Sequence, residues 1–119
     1  MATGVAAQTN GATPGISRNI LRTMDGPMEG YVTVLAIAEV QPGAIVARHI
    51  HPGIESAYFM TGGGVLSIKG EPDRQIGVGD SFQVAAYTPH MLRNGDSLTR
   101  VAATYVVEKG KPLASPAPE

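Results

Sequence analysis

Residues 43–63 read GAIVARHIHPGIESAYFMTGG, placing His49 and His51 one residue apart and Glu55 four residues beyond the second. The chain has three histidines among 119 residues, and the third, His90, lies far downstream, so any shared purpose has to be made by folding. Successive side chains on a strand leave opposite faces, so His49 and His51 project from one side, with Cα atoms about 6.6 Å apart at a rise of roughly 3.3 Å per residue. Two imidazoles so placed can meet one ion. Pro52-Gly53 favours a turn immediately afterwards, and Glu55 opens the next strand, where its carboxylate can swing back beside the rings.

The surrounding sequence supports strands. In YVTVLAIAEV, residues 31–40, the apolar set Val32, Val34, Ala36, Ala38 and Val40 follows a two-residue period rather than a helical one, and the run stops at Pro42-Gly43. Similar short runs recur in AIVARHIH, ESAYFMT, VLSIK, SFQVA, HMLRN and LTRVAATYVV. They are separated by Pro52-Gly53, the glycines at 62–64, residues 70–73, GVGD and Asn94-Gly95-Asp96. Turns at such close, even spacing predict an all-β barrel or sandwich.

Composition bounds the chemistry. A chain of 119 residues builds one domain, hence one principal site. Nine Lys+Arg against ten Asp+Glu, with no basic run, gives no footing for a phosphate backbone, so nucleic acid is not an expected partner. Cysteine is absent, which excludes disulfides, thiolate metal sites and thiol nucleophiles. No apolar run approaches the roughly 20 residues of a membrane-spanning helix, so no membrane is expected. MATGVAAQTNGATPG, small and polar, lacks the basic and apolar regions of a signal peptide. The expected compartment is the cytoplasm, or the periplasm or exterior if a leader preceded this segment. Residues 1–17 are expected to be a flexible segment, 18–108 the barrel and 109–119 a Pro-rich tail. The small interior favours a homodimer.

Nitrogen and oxygen donors of this mix suit one divalent transition ion, whether Fe, Mn, Ni, Cu or Zn. If His90 arrives from another strand, four protein ligands leave about two positions of an octahedron open. The first segment alone also permits His49, His51 and Glu55 to be ordinary solvated residues of a strand edge.

The second segment bears on that choice. Gly43, His49, His51, Glu55 and Gly62 match in spacing the first motif of the cupin family, and Gly79, His90 and Asn94 in GDSFQVAAYTPHMLRN match the second. Two positions of the second motif depart, with Ala85 where the family usually has Pro and Tyr87 where it has Gly. The chain thus resembles a small single-domain cupin. The resemblance implies a double-stranded β-helix, or jelly-roll-like barrel, with His49, His51, Glu55 and His90 as metal ligands.

The register set by the ligands points Ala47, Ala57 and Phe59 inward, and carries Leu92 and Asn94 in with His90. Alanines, the absence of Trp and only two Phe leave space for a modest organic molecule above the metal, unless Leu, Met and Val close it. Asn94 and Gln83 are candidates to hydrogen-bond the ligands. Tyr87 is a weak candidate proton donor, with a packed or exposed loop tyrosine as the plainer expectation. Alternation puts Tyr58 and Arg93 outside, and Asp80 follows a turn glycine where Asp serves backbone hydrogen bonds. Three classes of function fit: a dioxygenase-type oxidoreductase, as many cupins resembling this chain are; a non-redox isomerase, lyase or decarboxylase; and a ligand-binding or sensing module without turnover.

Overall fold

In a computed structural model, which describes residues 14–117, the alternation of residues 31–40 becomes a strand with Val32, Val34 and Ala36 turned fully inward. It is one of ten strands, with no helix among the described residues. These are β1 (Ile16–Asp25), β2 (Tyr31–Val40), β3 (Ile45–Ile50), β4 (Gly53–Thr61), β5 (Gly63–Ile68), β6 (Arg74–Gly77), β7 (Ser81–Val84), β8 (His90–Asn94), β9 (Thr99–Glu108) and β10 (Ser115–Pro116). They pair antiparallel in two five-stranded sheets, β1-β2-β9-β4-β7 and β10-β3-β8-β5-β6. Val101, Ala103, Tyr105 and Val107 of β9 alternate inward and meet the β2 row and Phe59 in one core between the sheets. The result is the expected all-β, jelly-roll-like barrel.

Three features depart from the sequence reading. Ala47 is exposed and Val46 faces the core. Val46 pairs with Leu92 and His49 with His90, so Ala47 and Arg48 together oppose Met91. This is a β-bulge, and the extra residue turns the strand over between positions 46 and 49. Ala57, Phe59 and Leu92 do face inward.

The second departure is at the termini. Of the segment expected to be flexible, residues 1–13 lie outside the described residues, but Ile16 and Ser17 already begin β1, paired with Val40 and Glu39. Third, the Pro-rich tail is not loose over 113–116. Leu113 is completely buried and Ser115–Pro116 pairs with Ile50 and His49 at the edge of the second sheet. Burying a leucine is worth about 1.5–3 kcal/mol, and an edge strand tolerates proline because the missing N–H faces outward. Local composition registers the proline and not the distant pocket that receives Leu113.

Turn chemistry fixes the connections around the site. Gly62 has φ +74°, and a Cβ there would lie 2.1 Å from Thr99 Oγ1, so a side chain is barred by both backbone and space. Asp80 accepts a hydrogen bond from the Gly77 N–H at 2.8 Å, the turn role expected of it.

Candidate metal centre

The bulge in β3 and the turn at Pro52-Gly53 bring donors from both sheets to one point. His49 on β3 and His90 on β8 are paired neighbours of one sheet, and His51 follows at the end of β3. Glu55 approaches from β4 of the other sheet. One ring nitrogen from each of His49, His51 and His90 lies within 4.8 Å of the others. His51 Nε2 and His90 Nε2 are 3.2 Å apart, and Glu55 Oε1 is 3.1 Å from the first and 3.2 Å from the second. His51, Glu55 and His90 are all buried.

Backbone carbonyls set the tautomers. His49 Nδ1 donates to Ala47 O at 2.7 Å, His51 Nδ1 to Leu113 O at 2.8 Å and His90 Nδ1 to Thr88 O at 2.8 Å. A carbonyl can only accept, so each Nδ1 carries a proton and leaves the Nε2 of each ring to face the cluster. Burial, reinforced by repulsion from His90 and then His51, lowers the His49 pKa to about 3, so this ring is neutral at ordinary pH. Burial pushes Glu55 up, but its contacts with the two imidazoles outweigh that and hold it well below the usual carboxylate range.

A carboxylate and imidazole nitrogens gathered at 3.1–3.2 Å are held together by positive charge among them. A protonated imidazole supplies it to part of the cluster, whereas a divalent cation supplies it to every donor at once. The separations among His51, Glu55 and His90 fit, since adjacent corners of an octahedron with bonds of about 2.1 Å lie about 3.0 Å apart.

The cupin-domain family model matches residues 36–110, which contain all four of these side chains. The chain belongs to the cupin family. No curated protein matches this cupin. Among solved structures, it is similar to the DMSP lyase DddQ from Ruegeria pomeroyi, with 22% identity over 62% of this chain and 38% of that one, at a TM-score of 0.59. A cupin-2 domain from Rhodospirillum rubrum shares 18% identity over 88% of this chain and 67% of its own, at 0.68. A conserved double-stranded β-helix protein from Klebsiella pneumoniae shares 14% over 96% and 94%, at 0.69. These likenesses show the fold. The cupin spans 38% of the length of the Ruegeria lyase.

The other candidate residues lie apart from the donors. Asn94 Nδ2 donates to Val40 O, Gln41 O and Ser97 O at 2.9–3.0 Å, and its Oδ1 accepts from Thr99. Asn94 therefore ties the loops together, and backbone carbonyls take the place expected for it beside the ligands. Gln83 donates to Ser56 Oγ at 2.9 Å on the exposed side of β7. Tyr87 is 46% exposed and its hydroxyl donates to Glu108 at 2.8 Å, outside the cavity. Its φ of +59° is the left-handed conformation for which the family motif uses Gly, so the loop keeps its shape with a tyrosine in it. Tyr58 and Arg93 are on the surface as expected.

Two site residues escaped sequence reading. Tyr105, opposite Glu55 in the β4–β9 ladder, packs edge-on against His51 at 4.9 Å. Burial, then the Glu55 carboxylate, push its hydroxyl upward against the pull of Arg18, so it remains a neutral phenol. Alternation along β9 would have placed Tyr105 inward with Val101 and Ala103. Arg18 belongs to β1, a strand not recognised in the sequence.

Proposed function

We propose that this cupin is a metal-dependent enzyme of dioxygenase type, acting on a small organic molecule in the barrel cavity. The carrying observation is the convergence of His49, His51, His90 and Glu55 beside a cavity of about 60 Å³. His49, Glu55 and His90 line it with Phe59, Leu66 and Phe82.

The four donors would hold one divalent ion, which when bound supplies Lewis acidity and, if it is redox-active, electrons for dioxygen chemistry. The Ala47, Leu113 and Thr88 carbonyls orient the rings through Nδ1. Phe59, Leu66 and Phe82 keep bulk water from the reacting groups, and the low polarity strengthens every charge interaction there. The test is elemental analysis of protein purified without a nickel column, followed by oxygen-uptake measurements on the metal-loaded protein with small organic substrates. Absence of stoichiometric metal after reconstitution with each of Fe, Mn, Ni, Cu and Zn would overturn the reading.

A second reading is favoured by Tyr105, a neutral phenol against the Glu55 carboxylate on the cavity wall. Such a group can give a proton to a substrate atom, which serves non-redox isomerisation, elimination or decarboxylation. Turnover sustained under argon selects it over the first reading, and ligand-dependent melting without product selects binding alone.

A further inference from the structure

The cavity beside the four donors is not apolar all round. On β1 the residues Ile16, Arg18 and Ile20 alternate inward, which places one cation between two aliphatic side chains on the inner face of the barrel. Arg18 lines the same cavity as His49, Glu55, His90 and Tyr105. Its guanidinium carbon lies 5.6 Å from the centroid of the Tyr105 ring. Its Nε is buried and has no hydrogen-bond partner among the described residues. No Asp or Glu of the described residues forms an ion pair with it, and Glu55 is already engaged by His51 and His90.

A guanidinium N–H withdrawn from water without an acceptor is destabilising. A side chain of core-only purpose on this row would be aliphatic, like its two neighbours. The stacked tyrosine holds the planar fork at the cavity wall and leaves Nε in want of an acceptor oxygen. A carboxylate meets a guanidinium with two parallel hydrogen bonds in one plane, a match a tetrahedral oxyanion makes less well in so small a space.

We propose that Arg18 anchors the carboxylate of a small organic acid in this cavity. The remainder of the acid lies against the metal-ligand cluster. This rests on the metal-site reading for its chemistry, since the anchor fixes which end of the substrate faces the ion. It does not rest on that reading for binding. Tyr105, between Arg18 and Glu55, sits where it can contact the substrate next to the anchored group.

The experiment is calorimetric titration, with melting curves in parallel, of the metal-loaded and the chelator-treated full chain. The ligands are acetate, 2-hydroxypropanoate, the corresponding neutral amides and inorganic phosphate. Expected are binding of 2-hydroxypropanoate to both forms and at least tenfold weaker binding of its amide and of phosphate. Arg18→Lys should weaken the acid about tenfold by losing the second hydrogen bond, and Arg18→Gln about a hundredfold. Both variants should keep wild-type metal content, which also reports that they fold. Equal binding of acid and amide, preference for phosphate, or wild-type affinity in Arg18→Gln would overturn the anchor. Metal binding without acid binding removes the anchor and leaves the metal centre standing. Arg18-dependent acid binding in a chain that takes no metal does the reverse.

Discussion

His49 and His90 face each other across the β3–β8 ladder with ring centroids 4.1 Å apart, and each fixes its Nδ1 on the carbonyl two residues before it. The two rings are prepared by their own strands and assembled by pairing. His90→Ala should therefore abolish metal-dependent stabilisation. An ion at a hundred times its dissociation constant stabilises the native state by about 2.7 kcal/mol, so wild type should melt higher with metal than with chelator and the variant should not. A metal-dependent rise in His90→Ala equal to that of wild type would exclude His90 as a ligand.

The metal-free protein should lose stability as pH falls below 6.5. His49 in the unfolded chain takes up a proton near 6.5, while in the native state its pKa is about 3, so between these values only the unfolded state is protonated. The unfolded state gains about 1.4 kcal/mol per pH unit over that window. Glu55 has the same sign, because its depressed pKa stabilises the fold above the ordinary carboxylate value and that contribution is lost as pH drops through it. Urea unfolding at pH 7.5, 6.0 and 5.0 measures the slope, and His49→Gln should flatten it. An unchanged slope in the variant would show that another group carries the dependence.

The C-terminal segment should govern metal affinity at a distance. His51 donates to the Leu113 carbonyl while the Leu113 side chain fills the core. Leu113→Ala keeps the carbonyl and should cost about 2–4 kcal/mol of stability with little change in affinity. A chain ending at Lys111 loses both, and metal binding should weaken by about 10–100-fold, as when partners of ligating histidines are removed. Isothermal titration of the two variants separates the effects, and equal affinities would refute the coupling.

Tyr87 should prove dispensable for chemistry. Tyr87→Phe removes the hydroxyl contact with Glu108 and Lys111 at the surface and should leave metal content and turnover within twofold of wild type. Tyr87→Gly should be more stable than Tyr87→Ala by about 1 kcal/mol, since both lack the phenol and only glycine adopts φ +59° freely. Chemical denaturation decides it, and equal stability would show the loop relaxes.

Features that depend on spacing along one chain are legible before folding. Alternation in residues 31–40 and 98–107 gave strands, the evenly placed turns gave an all-β barrel, and His49, His51 and Glu55 lie close enough in sequence for a strand and a turn to gather them. The β1 strand is masked by the small, polar, glycine-rich stretch that precedes it, and Ala47 turns outward because a bulge adds one residue without a local signature. It takes the closed barrel to show that backbone carbonyls, rather than Asn94 or Gln83, orient the imidazoles, that Leu113 closes the core, and that Arg18 and Tyr105 face the same cavity as the donors. Those contacts join residues far apart in the chain, and their energies come from burial and hydrogen bonding that exist only once both sheets have closed.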